Sequence, residues 1–573
     1  MVQTQQRWLI FVFVSAVLSS SGSLSLAATG PGRAAVASAH PLATQAALEV
    51  LSKGGNAFDA AVAASAALAV VEPASSGLGG GGFWLLHVAA SGRDIMVDGR
   101  ERAPLAATRD MYLGSDGKVK AHLSLDGPLA AAIPGEPAAL VHIAEHYGRL
   151  PLAESLRPAI RYARQGFAVD AHYYRLAQFR QPVLKRYRAA AAVFLQAGGV
   201  PKVGWMLRQP DLAVTLGALA EAGRAGFYEG EIARRLVRAV RAAGGIWSLE
   251  DLKQYRVVER EPVRLRYRGL NVVTAALPSA GGLQLAIMLN ILAGYDLGSL
   301  DKAHRIHLVV EAMRRSYRTR ARYLGDPDFV AVPRRRLASA AYASALRQGI
   351  ELNHATRSTA LGELSDPPGQ GADTTHFSII DAAGNRVSAT LSINYPFGSG
   401  FVAAGTGVVL NDEMDDFATH PGESNVYGLV GGEANAIAPG KRPLSSMSPA
   451  FVETPQRIGV LGTPGGSRIV SMVLLGILGF ADGQPPAVWV SRARYHHQYL
   501  PDAIQYEPDA FGAQLRERLA AMGHRFEPLT QDYGNMQAIL WERRGNRLQA
   551  ASDPRGNGSA RVTNRPATIM PGD

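Results

Sequence analysis

Asp373-Thr374-Thr375-His376 stands directly after a loop-like stretch rich in Ser, Gly, Pro and acidic residues, Thr356 to Gly371, and opens a run with strand character. A threonine in mid-chain is a poor nucleophile, because nothing takes the proton from its hydroxyl. If the chain is cut just before it, the new α-amine, with a pKa of about 7.7–8.0, can take that proton, and one residue becomes nucleophile and base together. On spacing alone the plainer alternative stands beside this one, a strand threonine whose hydroxyl is satisfied by its neighbours.

Other chemistries are excluded or weakly signalled. The 573 residues include no cysteine, which removes disulfide frameworks, thiolate metal sites, iron–sulfur clusters and cysteine nucleophiles. Gly77-Leu78-Gly79-Gly80-Gly81-Gly82 matches the glycine fingerprint of dinucleotide-binding loops. A helical pattern precedes it and the strand-like Phe83 to Val88 follows, the reverse of the order that puts a phosphate on a helix N-terminus. Its glycines are read instead as points of close backbone packing. The adjacent pair His496-His497 would diverge on a strand, so no metal site is expected there.

The elements that must position Thr374 follow from periodicity. Ala43 to Ser52 and Ala57 to Val70 read as alanine-rich helices, the first closed by Gly54-Gly55. From Leu140 to about Arg347 the pattern is mostly helical, with apolar residues three and four apart in Asp211 to Ala222, Glu231 to Ala243 and Gln284 to Leu292. After the loop the texture changes: Thr375 to Ile380 and Val387 to Ile393 read as two strands joined by a turn at Asp381 to Asn385. Antiparallel pairing then brings Leu391 to Asn394 alongside Thr374, with the register left open. Ile469 to Phe480 and Phe511 to Met522 read as helices again, which gives a layered α+β architecture.

Composition bounds the partners. With 47% hydrophobic and 19% charged residues the chain is globular. Lys+Arg 59 against Asp+Glu 48 gives a net charge of +11, but Arg314, Arg315, Arg318, Arg320 and Arg322 have the spacing of a solvated helix face. No basic-aromatic module accompanies them, and no nucleic-acid partner is expected. At the N-terminus, Arg7, the apolar run Trp8 to Leu18 and the small residues of Ser25-Leu26-Ala27-Ala28 have the order of a secretory signal peptide covering 1–27. The apolar run is well short of the roughly 20 residues needed to span a bilayer, and no later stretch reaches that length. The mature chain is therefore expected in the periplasm or outside the cell, with no membrane span and a frayed tail from Arg561 to Asp573.

Several blocks together resemble the γ-glutamyltransferase family. They are Thr374-Thr375-His376-Phe377-Ser378, Phe397-Gly398-Ser399-Gly400, the run Leu410 to Phe417, the run Pro439 to Pro449 and Gly462-Thr463-Pro464-Gly465-Gly466-Ser467-Arg468. Gly79 to Phe83 and Asp98 to Pro104 match the same family in the same order. The resemblance runs from about Gly30 to Ala560. It implies an N-terminal-nucleophile hydrolase, a four-layer αββα sandwich whose precursor cleaves itself between Asp373 and Thr374. A large subunit, 28–373, and a small subunit, 374–573, would then share one intertwined domain.

Carried over residue by residue, the resemblance makes Thr374 the nucleophile and Ser392 a supporting hydroxyl, where the family has threonine. The backbone of Gly465 and Gly466 becomes the oxyanion site. Arg100, Ser445 and Ser446 fall at the α-carboxylate of a γ-glutamyl group, and Asn394, Glu413 and Asp416 at its α-ammonium. Arginine's planar fork suits a carboxylate. Pro421 to Gly432 resembles a lid loop, with Tyr427 over the site and hinge glycines at 428, 431 and 432. The implied substrates are glutathione and other γ-glutamyl compounds, the acceptors water, amino acids or peptides, and no cofactor is required. An acylase of the same superfamily, acting on glutaryl or cephalosporin side chains, would have no ammonium to bind. A silent binding protein would keep the fold without maturing.

Overall fold

The computed structural model describes residues 30–120, 122–362, 374–420, 422 and 424–563. The signal-peptide segment, Asp373, most of the expected loop before it, Pro421 and the end of the tail lie outside these residues.

Strand alternation builds the centre. In Thr375–Ile380 the side chains of Phe377 and Ile379 join one apolar cluster, while Ile380 joins a second on the other face. Arg386–Ser392 repeats this, with Val387, Ala389 and Leu391 on the first side. The two strands pair antiparallel with Leu391 opposite Thr375, so the next pair along would set Ser392 opposite Thr374. They form the middle of a seven-stranded sheet that runs, edge to edge, through Ser559–Val562, Ala35–Ser38, Thr375–Ile380, Arg386–Ser392, Gly81–Val88, Arg93–Gly99 and Val258–Arg260. A six-stranded sheet faces it, in the order Arg547–Ser552, Gln537–Glu542, Arg457–Gly462, Ala450–Glu453, Leu270–Thr274 and Val263–Tyr267. Helices Pro41–Ser52, Ala57–Val71 and Leu152–Gln165 belong to the cluster outside the first sheet. Helices Gly281–Leu292, Lys302–Tyr323 and Ile469–Ala481 belong to the cluster of the second. This is the expected four-layer αββα sandwich.

Between the sheets the layer is polar around the central hairpin. Ser388 Oγ donates to Leu461 O at 3.0 Å and Ser378 Oγ to Gln537 O at 3.1 Å, tying one sheet to the backbone of the other. His376 shares this layer, bonded to Thr390 Oγ1 at 2.8 Å, and burial pushes its imidazole down to about 3, so it is neutral. Gly462 makes room for it, since a Cβ there would lie 2.2 Å from His376 Cε1. Gly462→Ala is expected to cost on the order of 1–3 kcal/mol, as overpacking does, and to lower the melting temperature; an unchanged transition would contradict this packing.

The hairpin is pinned at both ends to the helix Ala57–Val71. At its turn, Asp381 accepts from Ala57 N at 3.0 Å, and at its mouth Thr375 Oγ1 donates to Glu72, which ends that helix, at 2.6 Å. The glycine run behaves as expected: a Cβ on Gly80 would meet Ser392 O at 2.1 Å.

Three expectations are corrected. The segment read as mostly helical also contains three strands, Val258–Arg260 and Val263–Tyr267 at sheet edges and Leu270–Thr274 next to the edge of the second sheet. Of the arginines expected on a solvated face of Lys302–Tyr323, only Arg322 is exposed and Arg318 is half-buried. Arg314, Arg315 and Arg320 are buried, Arg314 and Arg315 paired with the buried Glu311 of the same helix and Arg314 also with Asp502. The loop's first part is anchored, with Ser358–Leu361 forming a 3₁₀ turn and Ser358 N donating to Asp502 at 3.0 Å.

Candidate active site

Thr374 immediately precedes the hairpin strand Thr375–Ile380, and a pocket there gathers residues from distant parts of the chain. Arg100, Ser392, Asn394, Glu413, Asp416, Tyr427, Ser445, Ser446 and Gly466 line it together with Thr374. Gly465 lies across a second cavity that Thr374 also borders. Every candidate residue among those described is therefore at Thr374.

Local geometry explains the convergence. Glu413–Asp416 is a 3₁₀ turn. Asn411 fixes its start, accepting from Glu413 N at 2.9 Å while its amide donates to Gly79 O at 2.6 Å. The turn sends Glu413 and Asp416 toward Arg100, each at 2.5 Å from its guanidinium. Asp415 points elsewhere and accepts from Ser124 Oγ at 2.7 Å and Val426 N at 2.9 Å. Asn394, at φ +74°, turns the chain after Ser392, and its N–H donates to Ser392 Oγ at 2.8 Å. Gly465 and Gly466 have φ of +141° and +54°, a turn that other residues rarely adopt.

Electrostatics here are strained by number. Arg100 is 1% exposed and faces Glu413, Asp416 and, at 3.4 Å, Glu101. The acids hold the guanidinium charged against the opposing effect of burial. Burial, with Asp416 and Glu136 adding to it, pushes Glu101 up to about 8 although Arg100 opposes. Burial likewise drives Glu413 well above the usual carboxylate range, again opposed by Arg100. Arg100 alone does not offset the burial of Glu101 and Glu413, and both are shifted toward their protonated forms. Glu413 Oε1 has no hydrogen-bond donor among the described residues.

Tyr427 covers this pocket. Its hydroxyl donates to Asn394 O at 2.6 Å, and its ring lies where a Cβ on Gly466 would be, 2.5 Å from Cδ1. Gln498 holds the loop by donating to Gly428 O at 2.9 Å, and Asn425 donates to Asp416 at 3.0 Å. Only Gly428 among the three expected hinge glycines has a positive φ; Gly431 and Gly432 are packed against Ala418 and Ala321. The covered space is about 20 Å³, room for roughly one water.

Sequence reasoning missed Glu101, Glu72 and Gln498, whose partners lie far along the chain. The two histidines go to different neighbours, His496 to Ser471 Oγ at 2.7 Å and His497 toward Asp502 at 3.4 Å.

A threonine at a strand end, an acid–arginine cluster and a glycine turn in a four-layer sandwich suit acyl transfer. The gamma-glutamyltranspeptidase family model matches residues 43–563. The chain belongs to that family. A glutathione hydrolase proenzyme of Pseudomonas sp. (strain A14) is 40% identical over 97% of this chain and 98% of its own length. An acylase ACY 1 proenzyme of Pseudomonas sp. (strain V22) is 36% identical over 91% of this chain and 92% of its own. Among solved structures, a cephalosporin acylase from Bacillus halodurans superposes with a TM-score of 0.81 at 29% identity, covering 92% of this chain and 95% of that one. Membership in the gamma-glutamyltranspeptidase family makes the chain an enzyme of the N-terminal-nucleophile hydrolase type. No helix among its described residues is long and apolar enough to cross a membrane.

Proposed function

We propose that this chain is an exported precursor that cleaves itself before Thr374 and then acts as a γ-glutamyltransferase on glutathione and related compounds. The observation that carries the reading is the meeting of Thr374 with Arg100, Glu413 and Asp416 in one pocket. A γ-glutamyl group is a zwitterion at its α-carbon. Its carboxylate replaces acid partners of Arg100 and reaches Ser445 and Ser446, while its ammonium takes the place of the guanidinium beside Glu413 and Asp416. With the ammonium beside it Glu413 can give up its proton and form an ion pair, a contact that a glutaryl group, which has no ammonium, cannot make.

In acylation Thr374 Oγ attacks the γ-amide carbonyl as its proton passes to the α-amine of the same residue. Ser392 Oγ, already accepting from Asn394 N, is left with its hydrogen to donate toward Thr374. The backbone N–H groups of Gly465 and Gly466 stabilise the oxyanion. The C–N bond breaks, the leaving amine takes the proton from the α-amine, and a γ-glutamyl ester remains. Water or an amine then attacks that ester. The space as it stands is too small for the group, so Tyr427 and its loop must move for substrate to enter.

Arg100→Lys tests the pocket. A point charge loses the second hydrogen bond of the fork, so kcat/KM for a γ-glutamyl anilide should fall by about 1.5–3 kcal/mol, roughly ten- to 150-fold, while two subunits still form. Unchanged kinetics would put Arg100 outside the substrate's reach.

A further inference from the structure

Thr374 is the one residue shared by the charged pocket and the second cavity, of about 740 Å³. If the γ-glutamyl group fills the first, the amine half of the substrate must leave through the second, and an accepting amine must enter by it. The following rests on that reading.

Three arginines line the second cavity: Arg175, Arg468 and Arg555. Arg555 is already neutralised, by Glu507 at 2.7 Å and Asp553 at 3.1 Å. Arg175 is on the surface, with His172 Nδ1 at 3.5 Å. Arg468 differs from both. It follows Gly465-Gly466-Ser467 directly, its N–H donates to Gly465 O at 3.0 Å, and it is 8% exposed. Its guanidinium bonds a neutral group, Gln505 Oε1, through Nε at 3.1 Å and Nη2 at 3.0 Å, and lies 4.9 Å from the centre of the Tyr533 ring. Among the described residues no carboxylate comes within ion-pair distance of it. Gln505 in turn donates to Glu527 at 3.0 Å and so holds that acid one side chain away. A buried cation aimed by an amide and an aromatic face, with its charge unmatched, is prepared for an anion from outside.

We propose that Arg468 binds the free carboxylate of the amine half of the substrate, both the peptide that departs and the amino acid or peptide that accepts. In transfer the neutral acceptor amine attacks the γ-carbonyl of the ester, a C–N bond forms and the C–Oγ bond of Thr374 breaks. The amine's surplus proton passes through the α-amine of Thr374 and ends on Oγ. Arg468 takes no part in these bonds; it selects acceptors that carry a carboxylate.

The test uses the two-subunit enzyme with a γ-glutamyl anilide donor and two acceptors, glycylglycine and glycylglycinamide, which differ in the carboxylate. The expected preference for glycylglycine is tenfold or more in kcat/KM for transfer. Arg468→Gln should bring that ratio toward one. Gln505→Glu, which sets a carboxylate against the guanidinium, should do the same, and it serves if the arginine variant fails to mature. Equal use of both acceptors by the unaltered enzyme, or a ratio that survives both substitutions, would overturn the assignment. Absence of any donor turnover would instead overturn the γ-glutamyl reading on which it rests.

Discussion

Thr374→Ala should give a full-length, folded chain that neither divides nor turns over a γ-glutamyl anilide, with activity lower by at least roughly ten-thousandfold. The methyl side chain has no hydroxyl to attack the preceding carbonyl, so the cleavage that would expose the α-amine never begins. Both roles of the residue are lost in one change. Folding should survive, because the hairpin is held by the register of Thr375–Ile380 with Arg386–Ser392 and by Asp381 and Thr375 at its two ends. Thr374→Ser keeps an attacking oxygen and should divide slowly. Two subunits from the alanine variant would show that another residue is the nucleophile.

A γ-glutamyl anilide should be processed at least roughly a hundredfold faster in kcat/KM than the matching glutaryl anilide, which lacks only the ammonium. That ratio corresponds to about 2.7 kcal/mol. Glu413 and Asp416 both converge on Arg100, and Glu413 Oε1 has no donor among the described residues. A glutaryl group would bring a carboxylate to the arginine and no cation to the acids, so the ion pairs and hydrogen bonds that the ammonium makes with them are lost and their acceptor oxygens stay unsatisfied. Asp416→Ala should shrink the ratio mainly by slowing the γ-glutamyl substrate. The comparison matters because relatives of this chain include both glutathione hydrolases and acylases. Equal rates would move it to the acylases even with Thr374 as nucleophile.

What the sequence revealed and concealed follows from range. The hairpin was legible because alternation within Thr375–Ile380 and Arg386–Ser392 is local, and so was the close packing of Gly79 to Gly82. Val263–Tyr267 was hidden because it is a short, half-exposed edge strand with arginine at alternate places beside long helical patterns. Arg314 and Arg315 looked solvated because their charges were visible, whereas the burial that pairs them with Glu311 arises from helix packing. The site is the extreme case: Arg100 meets Glu413 across 313 positions of sequence. No periodicity joins them, and only family resemblance assigned them one ligand. Arg468 and Gln505, 37 positions apart, had no such assignment and were found through their geometry.

The most direct measurement is the N-terminal sequence and intact mass of each chain in the purified, unaltered protein. The account predicts two chains, the smaller beginning Thr374-Thr375-His376 with a free α-amine. A single chain running through Asp373-Thr374, or a small subunit that begins at any other residue, would contradict it.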